Sequence, residues 1–541
     1  MIKITDPSIK TLFIVLLNII EEQNKIIGDL KNENQQLKDE NNRLKGEQGK
    51  PDIKPKKINA NISSEEERNK IKDGEEATKK IKPPVIIDKE TKCFINKTET
   101  RLPDDAYFLR YDELIQQDIK LVRHNTKYLL EVYYSPSEQK TYRAEIPKEY
   151  AGYFTADTKS LIHILTHACD VTNSKLLQLL RTSGISISDG SLTNKLLENT
   201  ELFINEKRDI LKAGLSHSYC GLDSTRSKEK GKNLSTQVIC NEYFTIFSSM
   251  PSKSRIDILA ALQGEPENGI LYCYNDTSRE LLDQFSVSVL DKTKLSELFK
   301  KTNNNPITKI ELDKIIQEHI PELKAKKNMY MRVCESLAIG YYQEQSDYPP
   351  LKYLLSDDAP EYQRIAILKQ ALCWIHDGRA YKKLTPFIEI HRRIRDEFLK
   401  EYWDFYHQLL AYKKAPCSIM KEKLNAKFDT LFTSKTDYFD LNQRIEKTYA
   451  NKEKLLAVLS NPLLPLHNNG SELAARRVVN KRDISLHTIS PTGTKNKDAV
   501  MSIIETAKKL KVNFINYLSD RISGTFSMPS LSQLIHNINT S

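Results

Sequence analysis

Three acidic residues of this chain lie in local contexts that suit chemistry on a phosphodiester. Asp223 follows the apolar run 219–222 and Asp357 follows the run 353–355, so each ends a predicted buried strand. Glu472 opens a segment with helical character, directly after an Asn-Asn-Gly-Ser turn that can cap a helix. Carboxylates at strand ends and at a helix start can converge and hold two divalent ions about 3.5–4 Å apart. Such ions activate an oxygen nucleophile and stabilise the leaving oxygen.

The donor type also indicates which metal the three carboxylates would bind. Hard oxygen ligands suit Mg²⁺ or Mn²⁺, and the pattern predicts two such ions held by Asp223, Asp357 and Glu472. Asp358 competes with Asp357 for the second position. Because successive side chains of a strand point to opposite faces, only one of this pair can enter the site.

The sequence motifs around these carboxylates resemble those of the insertion sequence 66 transposase family. The resemblance extends over roughly residues 15–525 and is weakest between about 265 and 345. The matching motifs are Asp223-Ser-Thr225 with Gly231-Lys-Asn233, Ser356-Asp357-Asp358-Ala359, Cys373-Trp374-Ile375-His376, and His467-Asn-Asn-Gly-Ser-Glu472 with Arg476 and Arg477. The resemblance implies a ribonuclease-H-like catalytic domain with an Asp-Asp-Glu triad. It also favours Asp357 over Asp358.

The function that this resemblance implies is that of a DNA transposase, which cleaves and transfers strands at the ends of an insertion sequence. Its partners would be the double-stranded DNA of the element ends and of the target. One alternative is a domesticated or inactive DNA-binding protein, against which the intact carboxylates argue. Another is a coiled-coil scaffold, which leaves the triad and the net charge of +10 without a role.

Composition restricts the remaining function classes. The chain has 541 residues, 39% of them hydrophobic, and its eight cysteines form no Cys-x-x-Cys pair, which favours a reducing compartment. The apolar run 12–17 is too short to span a bilayer and continues into Glu21 and Glu22. We therefore expect a cytoplasmic protein that joins the nucleoid when bound to DNA and has no membrane partner.

Two sites that contain cysteine are the candidates for zinc binding. In many members of the family, a module of two Cys-x-x-Cys pairs precedes the catalytic domain, but here Cys93 alone remains and 133–136 reads Tyr-Tyr-Ser-Pro. The pair Cys373 and His376 lacks two of the four ligands that structural zinc requires. The sequence therefore predicts no zinc, and a buried structural role is favoured for Cys373.

Basic residues near the triad are candidates for contact with DNA phosphates. They comprise one lysine of the first predicted hairpin, the histidine of the Cys-x-x-His pair and four cations that follow Glu472: Lys232, His376, Arg476, Arg477, Lys481 and Arg482.

Residues 16–44 carry a heptad pattern that predicts a parallel two-stranded coiled coil and hence a homodimer. One seam position holds Leu16, Gln23, Leu30, Leu37 and Leu44, and the other holds Ile20, Ile27, Asn34 and Asn41. The alternative is a single surface helix, but its polar residues leave only a narrow seam to bury.

The predicted fold class is α/β, with a mixed ribonuclease-H-like sheet. The segments are a coiled coil at 1–48, a disordered linker at 49–92, a small β-rich unit at 93–150, a helix-turn-helix-like region at 151–215, the catalytic domain at 216–520 and a tail at 521–541. Insertions are expected at about 265–350 and 378–460, the second one helical with its aromatic residues in a core. The region 151–215 is equally compatible with a plain helical hairpin that supports the catalytic domain.

Overall fold

A computed structural model describes residues 6–44, 85, 87–96, 103, 105–119, 122–146, 152–301 and 305–540. Most of the predicted linker at 49–92 lies outside the described residues. In the predicted β-rich unit, the described part forms one antiparallel hairpin, with β1 at Val132–Ser135 and β2 at Lys140–Arg143. None of the described helices is both long enough and apolar enough to cross a membrane.

A mixed five-stranded sheet lies at the centre of the molecule. Its strands are β3 (Tyr219–Glu229), β4 (Lys232–Cys240), β5 (Thr245–Met250), β6 (Tyr353–Ser356) and β7 (Lys369–Leu372), in the spatial order β5-β4-β3-β6-β7. The first three form an antiparallel meander, and β6 and β7 run parallel to β3. The α/β class is confirmed. The runs 234–240 and 243–247, rich in β-branched and aromatic residues, predict an antiparallel meander with the strand of Asp223, and this meander is present.

Two boundaries differ from the sequence-based expectation. The strand that contains Asp223 continues to Glu229, because its polar second half pairs with β4 along its whole length. Asp223 therefore lies inside a strand and not at its end. The apolar run 370–375 predicts a single buried strand, but the strand ends at Leu372, and a helix begins at Trp374 with Cys373 at its N-cap position.

The first helices of the chain are α1 (Pro7–Leu44), α2 (Ala156–His167), α3 (Asn173–Thr182), α4 (Asp189–Leu197) and α5 (Thr200–Leu215). Helices α2 to α4 share a small apolar core that includes Ile162, Leu176 and Leu192. The predicted pair of helices separated by a glycine-containing turn is thus present. Lys195, the cation of its second helix, is 2.7 Å from Glu198.

One face of the sheet is buried under helices that connect β5 to β6. They are α6 (Arg255–Leu262), α7 (Asp276–Gln284), α8 (Val289–Lys301), α9 (Lys309–His319), α10 (Pro321–Ala325) and α11 (Lys327–Glu344). Leu222 and Ile239 of the sheet belong to the same buried cluster as Leu281 and Leu337 of these helices. The segment expected as an insertion or expanded crossover at 265–350 is therefore a crossover that helps to build the central core.

A second helical unit follows β7, as predicted. It contains α12 (Trp374–Lys382), α13 (Glu389–Lys414), α14 (Ser418–Phe432), α15 (Phe439–Ala450) and α16 (Lys452–Leu455). Its own apolar core surrounds Trp374 and includes Phe405 and Tyr406, which are fully buried. The prediction that these aromatic side chains form a core is confirmed.

The chain then forms α17 (Asn469–Ser485), α18 (Pro491–Lys509), α19 (Phe514–Ser523) and α20 (Leu531–Thr540). Helix α18 covers the outer edge of the sheet, where strand β5 would otherwise leave unpaired N–H groups. The N–H groups of Thr245, Phe247 and Ser249 donate to the side chains of Thr506, Ser502 and Asp498, at 3.1, 2.9 and 2.7 Å respectively. The donors are two residues apart along β5, and the acceptors are four residues apart, about one turn, along α18. Successive N–H groups of the edge strand therefore meet successive side chains of the helix.

Helix α1 packs on the second helical unit. The carboxylate of Glu21 accepts the N–H groups of Phe387 and Ile388 at 2.8 and 2.7 Å, and so caps α13. The amide of Asn18 bonds to the backbone of Asp437 and Phe439. In the predicted heptads, Asn18 and Glu21 occupy the face of α1 opposite the seam. The seam residues Leu16, Leu30, Leu37 and Leu44 are exposed. The helix is confirmed, and its pairing with a second copy stays a prediction.

Candidate active site

Strand pairing brings Asp223 next to Asp357. Strands β3 and β6 are parallel, with Gly221 opposite Leu355. Two residues further along each chain lie Asp223, within β3, and Asp357, in the turn that directly follows β6. The charge of Asp357 raises the pKa of Asp223, so the two carboxylates lie near each other.

Helix α17 lies on the sheet and brings Glu472 to the pair. Val238, which is directly opposite Asp223 on β4, packs against Ala474, Ala475 and Val478 of the helix. The negative charges of Asp357 and Glu472 both act on Asp223. The three carboxylates are therefore neighbours, contributed by strand β3, the turn after β6 and helix α17, although they are far apart in the sequence.

Gly221 allows α17 to approach the sheet this closely. A Cβ at Gly221 would lie 2.5 Å from Ser471 Oγ and 2.8 Å from Asn468 Oδ1, closer than side-chain carbons are normally found. The other end of the Asn468 amide donates to the carbonyl of Leu222 at 2.8 Å. The Asn-Asn-Gly-Ser turn thus holds the start of the helix, and with it Glu472, against β3.

We predict that Gly221→Ala moves α17 away from β3. The added methyl group overlaps two short, buried side chains, so the helix has to shift, at a cost of about 1–3 kcal/mol in unfolding free energy. The measurement is the urea unfolding midpoint together with metal-dependent activity. Gly190→Ala is the matched control, because a Cβ at Gly190 meets nothing within 4 Å. Equal effects of the two substitutions would contradict the role assigned to Gly221.

The electrostatics of the site favour a bound cation. Burial, together with the charges of Asp357 and Glu472, raises the pKa of Asp223 from 3.8 to about 7, although the Ser224 N–H at 2.7 Å opposes the rise. The negative charges of Asp357 and Glu472 thus disfavour the ionised form of Asp223. An oxygen-only donor set with this repulsion fits a divalent metal ion such as Mg²⁺ or Mn²⁺.

The neighbouring carboxylate Asp358 points elsewhere. Its oxygens lie 2.9 Å from Asn451 Nδ2 and 3.3 Å from Lys454 Nζ, on the second helical unit. Asp357 is held in its turn by the Ala359 N–H at 3.2 Å. The structure thus places Asp357, and not Asp358, beside Asp223.

Further side chains complete the surroundings of the triad. His376 Nδ1 lies 3.6 Å from Glu472 Oε1, and burial lowers the pKa of His376 while the Glu472 charge opposes that fall. The hydroxyl of Tyr362, a buried residue, bonds to the Ser224 side chain near the two aspartates. Sequence reasoning missed Tyr362 and Gly221. A signal existed only for Gly221, since glycine within a strand indicates close approach of another segment.

Two of the predicted DNA contacts have an internal role instead. Arg477 Nη2 lies 2.9 Å from Asp170 Oδ1 and also bonds to backbone carbonyls at the end of α2. Lys481 is buried, donates to the carbonyl of Thr166, and has its pKa lowered to about 8, chiefly by burial. Both cations tie α17 to the helical region before the sheet, so we correct their assignment from DNA contact to structural contact.

The remaining basic candidates lie toward solvent. Lys232 is exposed at the turn between β3 and β4, and Arg476 is exposed on α17 one turn after Glu472. Arg482 is partly exposed and donates to the carbonyl of Arg226 at 2.8 Å. These three cations, together with His376, whose side chain beside Glu472 is 35% exposed, remain candidates for phosphate contact.

Comparison with known proteins finds a similarity to protein y4jO of Sinorhizobium fredii (strain NBRC 101917 / NGR234), which is described as uncharacterized. The two sequences are 27% identical over 322 residues, a stretch that covers 58% of this chain and 94% of the relative. No protein-family model matches the chain, and no solved structure matches it.

Proposed function

We propose that this protein is a DNA transposase of the Asp-Asp-Glu type, similar to the insertion sequence 66 family. The observation that carries the proposal is the convergence of Asp223, Asp357 and Glu472. The sheet order supports a ribonuclease-H-like fold, because a three-stranded meander is followed by two strands that join parallel to its first strand.

The three carboxylates would hold two Mg²⁺ or Mn²⁺ ions, which activate the attacking oxygen and stabilise the leaving oxygen of the phosphodiester. The protein itself positions the ligands. Asp223 is fixed within β3, Asp357 by its turn, and Glu472 by the contact of α17 with Gly221. Arg476, Arg482 and Lys232 would contact phosphates of DNA around this site.

The direct test is DNA cleavage by the purified full chain. We expect Mn²⁺- or Mg²⁺-dependent nicking, and strand transfer, of a duplex that carries the inverted repeats flanking the gene. A supercoiled plasmid without those repeats is the control for sequence-independent nicking. Full activity in the presence of a chelator would contradict the metal-dependent mechanism, and no activity with any divalent ion would favour an inactive DNA-binding protein.

We further propose that α1 pairs with α1 of a second copy. The contacts of Asn18 and Glu21 with the second helical unit leave the opposite seam exposed, so docking and pairing are compatible. A dimer would bring two catalytic domains to two DNA ends and raise the effective concentration of the second end.

We predict that Leu30→Lys combined with Leu37→Lys converts the dimer to a monomer. Leu30 and Leu37 occupy the same seam position in successive heptads, so lysines there place like charges opposite one another in a parallel pair. Sedimentation velocity of the full chain measures the change. The control is Lys25→Gln, which lies outside the seam and should leave the dimer intact. Lys31→Leu and Lys38→Leu would add apolar surface and are therefore not suitable as controls. A monomeric wild-type chain at high concentration would contradict the pairing.

A further inference from the structure

A second set of potential metal ligands lies beside the triad. Cys373 Sγ, a ring nitrogen of His376 and a carboxylate oxygen of Glu472 all lie within 4.8 Å of one another. The sequence shows only the Cys-x-x-His pair, which lacks ligands for zinc. The third ligand comes from α17, which reaches the start of α12 only in the folded chain.

The surroundings of Cys373 suit a sulfur that binds a metal. The side chain is buried, and its sulfur accepts the N–H of Asn468 at 3.3 Å. An outer hydrogen bond of this kind orients a ligand, and the Asn468 N–H opposes the burial that raises the pKa of the Cys373 thiol to about 11. The side chain of His376 is 35% exposed, which leaves a path by which an ion can enter from solvent.

We propose that Cys373, His376 and Glu472 form a binding site for a soft divalent cation, Zn²⁺ by preference, separate from the hard-metal site but sharing Glu472 with it. Sulfur and imidazole ligands select Zn²⁺ over Mg²⁺. Three protein ligands with a fourth position open to water are a common arrangement for zinc.

The distances are compatible with this assignment. At Zn–S of about 2.3 Å and Zn–N of about 2.0–2.1 Å, tetrahedral ligand atoms lie about 3.3–3.6 Å apart. His376 Nδ1 and Glu472 Oε1 are already separated by 3.6 Å. The sulfur lies within 4.8 Å of the other two ligand atoms and would approach them when an ion binds. Binding would release the thiol proton of Cys373 to solvent.

The consequence for activity rests on the proposed function. Glu472 cannot serve fully in both sites, so an ion at the cysteine site withdraws a ligand from the carboxylate site. Zn²⁺ would therefore act as an inhibitor that competes with Mg²⁺ or Mn²⁺. The cysteine site would make the protein sensitive to the zinc level of its surroundings.

The site itself is tested without DNA, by Co²⁺ titration of the full chain. We expect a thiolate-to-cobalt charge-transfer absorption in the near ultraviolet that saturates at one equivalent and is reversed by Zn²⁺. Cys373→Ser should abolish it, and His376→Gln should weaken Co²⁺ binding by at least about tenfold. Cys417→Ser is the matched control, because Cys417 is exposed and remote from the triad in sequence.

Asp357→Asn separates the two sites, since Asp357 is a ligand of the carboxylate site alone and its loss should leave the cobalt absorption in place. An absorption that persists in Cys373→Ser, or its absence in the wild-type chain, would overturn the proposal. Thermal melts show that each variant is folded.

The activity measurement distinguishes failure of the site from failure of the proposed function. In the wild-type chain, Zn²⁺ should inhibit Mn²⁺-dependent cleavage. The zinc concentration that halves the cleavage rate should be at least about tenfold higher for Cys373→Ser, with the rate of each protein normalised to its own rate without zinc. Cobalt binding without any cleavage would reject the transposase proposal but keep the cysteine site. Cleavage with equal zinc sensitivity in both proteins would reject the inhibitory role.

Discussion

Asp223→Asn, Asp357→Asn and Glu472→Gln each reduce metal-dependent DNA cleavage and strand transfer by at least about three orders of magnitude. Each substitution keeps the size of the side chain but removes an anionic oxygen that a divalent ion requires. Single-turnover rates on the duplex with inverted repeats, measured in Mn²⁺ and in Mg²⁺, give the size of the loss.

Asp358→Asn is the control for these variants. It removes a carboxylate from the adjacent position, but that carboxylate faces Asn451 and Lys454 instead of Asp223. We expect its cleavage rate to stay within about threefold of wild type, since only a partly exposed ion pair is lost. If Asp358→Asn is inactive and Asp357→Asn is active, the assignment of the second ligand is reversed.

Asp223→Asn raises the stability of the metal-free protein at neutral and alkaline pH, although it removes activity. In the unfolded chain Asp223 loses its proton near pH 3.8, whereas in the folded protein it keeps the proton until about pH 7. Between these values the folded state binds more protons, so the free energy of unfolding falls as the pH rises. The asparagine cannot ionise and avoids this loss, which amounts to at most about 4 kcal/mol.

Thermal unfolding in a chelator measures this effect. The melting temperature of Asp223→Asn should exceed that of wild type by a margin that widens from pH 5.5 to pH 8 and is constant at higher pH. Saturating Mn²⁺ should reduce the margin, because the ion stabilises only the protein with the intact carboxylate. A margin that does not vary with pH would show that Asp223 is ionised throughout.

Much of the local structure was predictable from the sequence. Alternating and apolar runs predicted the strands that contain Asp223 and precede Asp357, and helical spacing predicted α1 and the helical unit after β7. The failures were at boundaries, where local patterns are weak. The polar half of β3 does not look like a buried strand, yet it pairs fully with β4. Cys373 sits between a strand and a helix, so the apolar run 370–375 was assigned to one element instead of two.

What the sequence by itself determined is the chemical identity of the candidate ligands and the elements that contain them, since side-chain type and periodicity are local properties of the chain. The tertiary structure alone decided which neighbours those side chains meet. It directed Asp357 toward Asp223 and Asp358 toward Lys454, and it turned Arg477 inward to Asp170. Periodicity tells which face of an element is buried, but the partner on that face depends on contacts between segments distant in sequence.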